Sequence, residues 1–95
     1  QPRLLNREEL VRDIQRFYPE AERRAGREGR VVSHIHLNKN GQVSGVDIAT
    51  SAGTLFDEAA KKILSLARFS PARAGEKTVA VKLSFPIEFA LTSDQ

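Results

Sequence analysis

The amino-acid sequence predicts an α+β domain of two layers, in which helices cover one face of a three-stranded sheet. Residues 78–91 place an apolar side chain at every odd position, which is the period of a strand. Two shorter alternating stretches flank Asn40-Gly41, a strong hairpin signal, and a helical stretch follows them. The 95 residues are enough for one such core.

The composition excludes several classes of protein. Hydrophobic residues make up 40% of the chain, as in folded domains, and Cys, Met and Trp are absent. Without Cys there is no disulfide framework and no thiolate site. Fifteen Lys+Arg against 12 Asp+Glu give a formal charge of +3, a mild bias that falls short of a nucleic-acid signature.

No stretch of the sequence has the length or composition of a membrane span or a signal peptide. No apolar run approaches the roughly 20 residues that cross a bilayer, and the first residues lack a signal-peptide core. Because no Met begins the chain, we expect a fragment whose targeting and anchoring segments are missing.

Residues 78–91 are expected to form one long strand with its odd side chains in the core. At about 3.3 Å per residue the strand would span about 46 Å, so part of it should bend or overhang the sheet. Pro86 has no N–H, which predicts that the even-numbered backbone groups face an open edge. Such an edge is either blunted, here by Lys82 and Pro86, or used to add a partner's strand.

Two helices are predicted before the first strand. Asn6 and Glu9 have the spacing of a capping box for a helix over residues 7–17, and Leu5 and Leu10 have that of a hydrophobic staple. A second, shorter helix starts at Pro19 and ends at Gly26. The predicted apolar side of the first helix consists of Leu10, Val11, Ile14 and Phe17.

Two strands joined by a tight turn at Asn40-Gly41 are predicted over residues 30–38 and 42–50. Both turn residues tolerate the positive φ that a tight turn requires. In the return strand Val43 is out of phase with its inward neighbours, and Gly45 indicates a bulge. In the first strand, Val31, Ile35 and Leu37 share one face, and Val32, His34 and His36 share the other.

The third helix begins at Thr54 and is followed by a loop over residues 72–77. Since the hairpin strands are antiparallel and the helix returns the chain in the direction of the second strand, the expected order is 2-1-3, a split βαβ arrangement. The alternative is 1-2-3 with the last two strands parallel. The predicted buried stripe of this helix consists of Phe56, Ala59, Ala60, Ile63, Leu64 and Ala67.

Catalytic motifs are absent from the sequence. It has no Cys nucleophile, no glycine-rich phosphate loop and no HExxH zinc motif, so we predict a non-enzymatic domain without a cofactor. His34 and His36 can approach one metal ion, but two ligands make an incomplete site, and we predict none. Four arginines are interleaved with glutamates and are expected to pair with them, the alternative being a patch for anionic surfaces. These arginines are Arg23, Arg24, Arg27 and Arg30.

Several short motifs occur in a fixed order between residues 18 and 91, and the ordered set is specific. They are Tyr18-Pro19-Glu20-Ala21, Arg27-Glu28-Gly29-Arg30-Val31-Val32, Asn40-Gly41-Gln42-Val43, Ser51-Ala52-Gly53, Phe56-Asp57-Glu58-Ala59-Ala60, Phe69-Ser70-Pro71-Ala72 with Gly75, and Phe85-Pro86-Ile87-Glu88-Phe89. In this order they resemble the C-terminal domain of TonB-family energy transducers.

The resemblance implies a periplasmic adaptor that is tethered to the inner membrane and energised there by a proton-driven motor complex. It implies further that the domain adds the TonB box, a short segment of an outer-membrane receptor plug, as a strand to the edge of its last strand. The partner-binding residues expected from it are Val79, Ala80, Val81, Lys82, Leu83 and Ser84.

The resemblance also sets the expected domain limits and an alternative function. Residues 1–17 are expected to be an N-terminal extension with a capped helix, 18–91 the TonB-like domain, and 92–95 a tail. The alternative is a structural module of another envelope-spanning machine, of the TolA-like or motility kind, that pairs with its own copy through the same edge.

Overall fold

A computed structural model describes residues 2–91, so residue 1 and the predicted tail at 92–95 lie outside the described part. Three helices and five strands follow one another along residues 2–91. They are α1 (Arg7–Arg16), α2 (Glu20–Ala25), β1 (Gly29–Leu37), β2 (Val43–Thr50), α3 (Thr54–Ser65), β3 (Ala72–Ala74), β4 (Lys77–Val79) and β5 (Val81–Phe89).

The main sheet has three antiparallel strands in the order β2-β1-β5. Helix α3 packs on β1 and β2, and α1 packs on β5 and on α3. The predicted α+β fold with the order 2-1-3 is therefore confirmed, and the alternative order 1-2-3 is wrong.

The core lies between these helices and one face of the sheet. From Val31 to Leu37 the odd-numbered residues of β1 are buried, whereas the even-numbered ones between them are partly exposed, as the period of a strand requires. All six residues of the predicted stripe on α3 are buried. At one end of the core, Tyr18 meets Phe56 and Phe89 edge-on, with ring centroids 5.6 and 5.8 Å away. The Tyr18 hydroxyl donates a hydrogen bond to the Arg27 carbonyl, which satisfies a polar group in a buried side chain.

The predicted tight turn joins β1 and β2, and within it Gly41 alone has a left-handed backbone. Gly41 has φ 84°, but no other residue type in the described chain has a positive φ, so Asn40 does not. The Gly41 N–H donates to the Asn38 carbonyl at 3.0 Å, and the Asn38 N–H donates to the Gln42 carbonyl at 2.9 Å. The loop is therefore a three-residue turn over residues 39–41, closed by a left-handed glycine, and it lies between the predicted strand limits at residues 38 and 42. The Asn38 side chain fixes the loop by accepting from the N–H groups of Asn40 and Gln42.

The predicted bulge in β2 is present. Gly45 pairs with His36 and Val43 pairs with Leu37, which leaves Ser44 as an extra residue. Because of this extra residue Val43 returns to the inward face, where it packs against the core with Val46 and Ile48.

Residues 78–91 do not form one strand. Lys77–Val79 pairs with Ala72–Ala74 in a small hairpin that turns at Gly75 (φ 67°), and the chain changes partner at Ala80. The loop predicted at 72–77 is therefore part of this hairpin. Since β1 has nine residues and β5 pairs along all of them, a longer strand would overhang, and its first residues pair locally instead.

Helix α1 has the predicted bounds to within a residue, but its ends and faces differ. The Asn6 side chain makes no capping bond; it accepts from the Arg68 N–H at 2.9 Å and donates to the Leu66 carbonyl at 3.0 Å. Leu5 and Val11 are 57% and 56% exposed, so the predicted staple and the place of Val11 on the buried side are both wrong. Within α1 the buried residue is Leu10.

Substitution of Gly41 should destabilise the fold more than substitution of another left-handed glycine. A Cβ at Gly41 would lie 2.2 Å from the Phe69 carbonyl oxygen, whereas at Gly26 (φ 70°) it would meet nothing within 4 Å. We expect Gly26→Ala to lower the free energy of unfolding by about 1–2 kcal/mol through its φ alone. Gly41→Ala should cost roughly a further 1–3 kcal/mol through the clash.

Urea unfolding of both variants and of the unsubstituted chain measures this difference. Equal losses of stability in the two variants would show that the close approach of Gly41 to Phe69 does not affect the free energy of unfolding.

Candidate functional site

The candidate site is the outer edge of β5. All nine residues of β5 pair with β1 on one side, and within residues 2–91 no strand pairs with the other side. An unpaired edge of this kind presents backbone donors and acceptors to solvent or to a partner.

The register shows which backbone groups of β5 are open. The backbone groups of the even-numbered residues of β1 point toward β2, because the His36 carbonyl accepts a hydrogen bond from the Ser44 hydroxyl at 3.1 Å. Backbone groups alternate sides along a strand, so the odd-numbered residues of β1 face β5, where they pair with odd-numbered residues. The even-numbered residues of β5 therefore point away from the sheet. Pro86 is one of them, and its missing N–H costs no ladder bond.

Helix α1 flanks the second half of this edge. The first half of the helix lies against Phe85, Pro86 and Ile87 across a shallow groove. Further along, the Gln15 side chain donates a hydrogen bond to the Ala90 carbonyl at 3.1 Å. The part of the edge that α1 does not flank is residues 81–84.

The structure places the six predicted partner-binding residues in three different settings. Val79 ends β4, Ala80 connects the two strands, and the other four begin β5. Lys82 and Ser84 are exposed and have the open backbone groups. Val81 and Leu83 bond to β1 through their backbone, and their half-buried side chains pack against the core.

A feature that the sequence prediction missed holds α1 in this position. Leu4 and Phe69 form an antiparallel bridge, and the Leu5 N–H donates to the Arg68 carbonyl at 2.7 Å. Together with the Asn6 bonds, this strap fixes the start of α1 to the end of α3. The only local signal was Asn6, whose residue type equally suits a cap. Its side chain donates to nearby Glu9, but the partners that form the strap, Leu66 and Arg68, are 60 and 62 residues away in the chain.

The model of the family described as Gram-negative bacterial TonB protein C-terminal matches residues 14–91. The chain belongs to this family. The match begins inside α1 and ends with the residues that follow β5, so it includes the whole candidate edge.

Protein tonB2 of Pseudomonas aeruginosa is 35% identical to this chain over 75 residues. That alignment covers 78% of the chain but 28% of tonB2, so the chain spans little more than a quarter of the curated relative's length. TonB proteins belong to the Gram-negative cell envelope. Among the described residues of this TonB-family chain, no helix has the length and apolar character needed to cross a bilayer.

Two solved TonB C-terminal domains share the fold. The solution structure of the Pseudomonas aeruginosa domain has a TM-score of 0.66 and 24% identity, and the match covers 82% of this chain and 80% of that one. The Helicobacter pylori domain has a TM-score of 0.52 and 27% identity, with coverages of 90% and 84%.

A close polar pair lies on the helix-free face of this TonB domain. His36 Nε2 lies 2.7 Å from the Asp47 carboxylate, and both side chains are largely exposed. The hydrogen bond from His36 lowers the pKa of Asp47 below its usual 3.8, and the charges of Lys82 and His34 act in the same direction. In the described part of the chain, no three His, Cys, Asp or Glu side chains come together as metal ligands would.

The four clustered arginines have partners within the domain. Arg24, Arg27 and Arg30 pair with Glu20, Glu22 and Glu88. Arg23 donates to the Gln15 carbonyl at 2.9 Å and lies over the Tyr18 ring. The expected self-paired surface is therefore present, and the anionic-surface alternative has little support.

The Asp47 carboxyl should titrate below pH 3.8 because of His36. Its folded-state pKa is depressed, so its contribution to stability is present above the unfolded pKa and is lost as the pH falls through the folded pKa. His36→Val should return the Asp47 pKa toward 3.8, while His34→Val should change it little. Carboxyl ¹³C shifts followed against pH measure both variants. An unchanged Asp47 pKa in His36→Val would contradict the assignment.

Proposed function

We propose that this TonB-family domain binds the TonB box of an outer-membrane receptor by adding it as a strand to β5. The proposal rests on one observation. Residues 81–84 form a strand edge that neither a neighbouring strand nor α1 occupies within the described chain. Strand addition is a recurrent way in which domains recognise extended peptides, and the family of this chain is one of energy transducers.

The backbone groups available at this edge suit a reversible contact. Lys82 and Ser84 each offer an N–H and a carbonyl, and their neighbours on β5 are already paired with β1. At roughly 0.5–1.5 kcal/mol per hydrogen bond, four such bonds supply about 2–6 kcal/mol. Association itself costs an estimated 4 kcal/mol or more. The backbone bonds therefore give register and direction, and appreciable affinity needs side-chain contacts as well.

The proposal includes the cellular setting of the domain. We place it in the periplasm, as part of a longer protein that is tethered to the inner membrane and driven there by a proton-powered motor complex. Transport across the outer membrane follows if the domain pulls on the receptor plug through the added strand. On the chain itself, the limits of this functional unit are residues 18–91, with residues 1–17 as an extension that carries all of α1.

A second candidate uses the same open edge. Two copies of the domain can pair through residues 81–84 and form a homodimer, as expected of a structural module in a TolA-like or motility machine. This candidate predicts that the sedimentation coefficient rises with protein concentration. A monomer at every concentration tested would exclude it.

Titration of the domain with a synthetic TonB-box peptide tests the main proposal. We expect saturable amide shifts centred on Lys82 and Ser84 in NMR spectra. Lys82→Pro should weaken binding about tenfold, because the ring removes an open N–H and blocks the edge. The variant should still fold, since Pro86, like Lys82, is an even-numbered residue of β5 whose N–H position faces away from β1.

Two control variants accompany this titration. Lys82→Ala removes the charge but keeps the N–H, so its affinity should match that of the unsubstituted chain. Glu88→Pro removes an open N–H beside α1 rather than in residues 81–84, and it should also leave binding unchanged. Absence of any shift at millimolar peptide would refute strand addition.

A further inference from the structure

An apolar groove lies between α1 and the edge of β5. It has a volume of about 360 Å³, at the low end of ligand pockets, and is open along its length. Leu10 and Ile87 are buried beside it. Its walls are formed mainly by Leu4, Val11, Ile14, Phe85 and Pro86, and the charged Arg7 lines it as well.

Val11 is the unusual residue of this groove. It is 56% exposed, whereas the next two residues of α1, Arg12 and Asp13, are charged residues of the kind that usually meets solvent. An exposed apolar side chain is common by itself. Here it stands opposite Phe85 and Pro86 across an apolar trough, so a further apolar group placed between them would be covered on both sides.

The groove continues directly from the open backbone edge. It begins at Phe85, the residue after Ser84, and one strand residue advances by about 3.3 Å. A strand added along β5 points every second side chain to the face that the helices cover. On the added strand, the first such side chain past the part that lies beside residues 81–84 of β5 reaches the groove. At this point Pro86 offers a carbonyl but no N–H, so the backbone ladder is weaker there and a side-chain contact can add to it.

We propose that this groove binds one large apolar side chain of the extended peptide that adds to β5. The proposal rests on the strand addition proposed above and deepens it, because it assigns part of the specificity to α1. The occupant is a side chain of the same peptide rather than a separate small molecule. The groove is continuous with the peptide's backbone path, and the backbone bonds at Lys82 and Ser84 are too few to give appreciable affinity alone.

A matched pair of surface variants in the 95-residue chain tests this assignment. Val11→Glu places a charge in the groove, and Leu55→Glu makes the same kind of change on α3, at a residue 46% exposed. Both positions are exposed, so both variants should fold. We expect Val11→Glu to weaken binding of the TonB-box peptide about tenfold or more, and Leu55→Glu to leave it unchanged.

The peptide supplies the second half of the test. Each of its apolar residues is replaced by Ala in turn, and we expect one replacement to weaken binding to the unsubstituted chain. The same replacement should have little further effect on Val11→Glu, since both changes remove one contact. Methyl shifts of Leu10, Val11 and Ile14 should accompany the amide shifts of Lys82 and Ser84.

Three other outcomes would overturn the assignment. If the Lys82 and Ser84 amides shift but Val11→Glu binds the peptide normally, strand addition stands and the groove has no part in it. If no shifts occur at either place, both proposals fail. If the methyl shifts depend on protein concentration without peptide, a second copy of the chain occupies the groove instead.

Discussion

The antiparallel pairing of β1 with β5 determines both the core and the open edge. Its register places Phe85, Ile87 and Phe89 on the face that the helices cover. Slipping the pairing by one residue would turn these side chains to the opposite face and bring Lys82 and Glu88 inward, so burial strongly favours the observed register. The same register decides which backbone groups of β5 bond to β1 and which stay free. The register of β1 with β5 thus decides both which side chains are buried and which backbone groups at the edge are free.

Helix α1 adds a second constraint, because it sets how much of the free edge is accessible. Burial of Leu10 holds the helix on the core, and a fully buried leucine contributes roughly 1.5–3 kcal/mol. The strap through Leu4, Leu5 and Asn6 then fixes where the helix begins. The family match starts within α1, at residue 14, so the first half of this helix, which forms one wall of the groove, lies before the matched region.

The sequence predicted the features that depend on local pattern. Strand alternation, the stripe on α3 and the missing N–H of Pro86 are periodic or single-residue properties, and they gave the fold class, the strand order and the phase of the open edge. The break at Ala80 was not predicted. Apolar alternation continues across it, while the strand's partner changes from β3 to β1.

The features that sequence reasoning missed involve contacts between distant residues. Asn6 has the residue type of a cap, but its side chain meets Leu66 and Arg68, which no local pattern reveals. Gly41 was recognised as a turn residue, but its close approach to the Phe69 carbonyl was not. The place of α1 beside β5 likewise depends on contacts between residues that are distant in the chain. The sequence therefore predicted which backbone groups of β5 are open, but not how many residues the open edge comprises.

The short length of the open edge also bears on solubility. An exposed strand edge can template the stacking of further chains, and long apolar edges promote this most. In this domain the unflanked stretch comprises residues 81–84, with the exposed charge of Lys82 within it and Pro86 just beyond. A strand that docks there finds a continuous row of donors over only a few residues. The edge can therefore accept one short segment while resisting the growth of an extended intermolecular sheet.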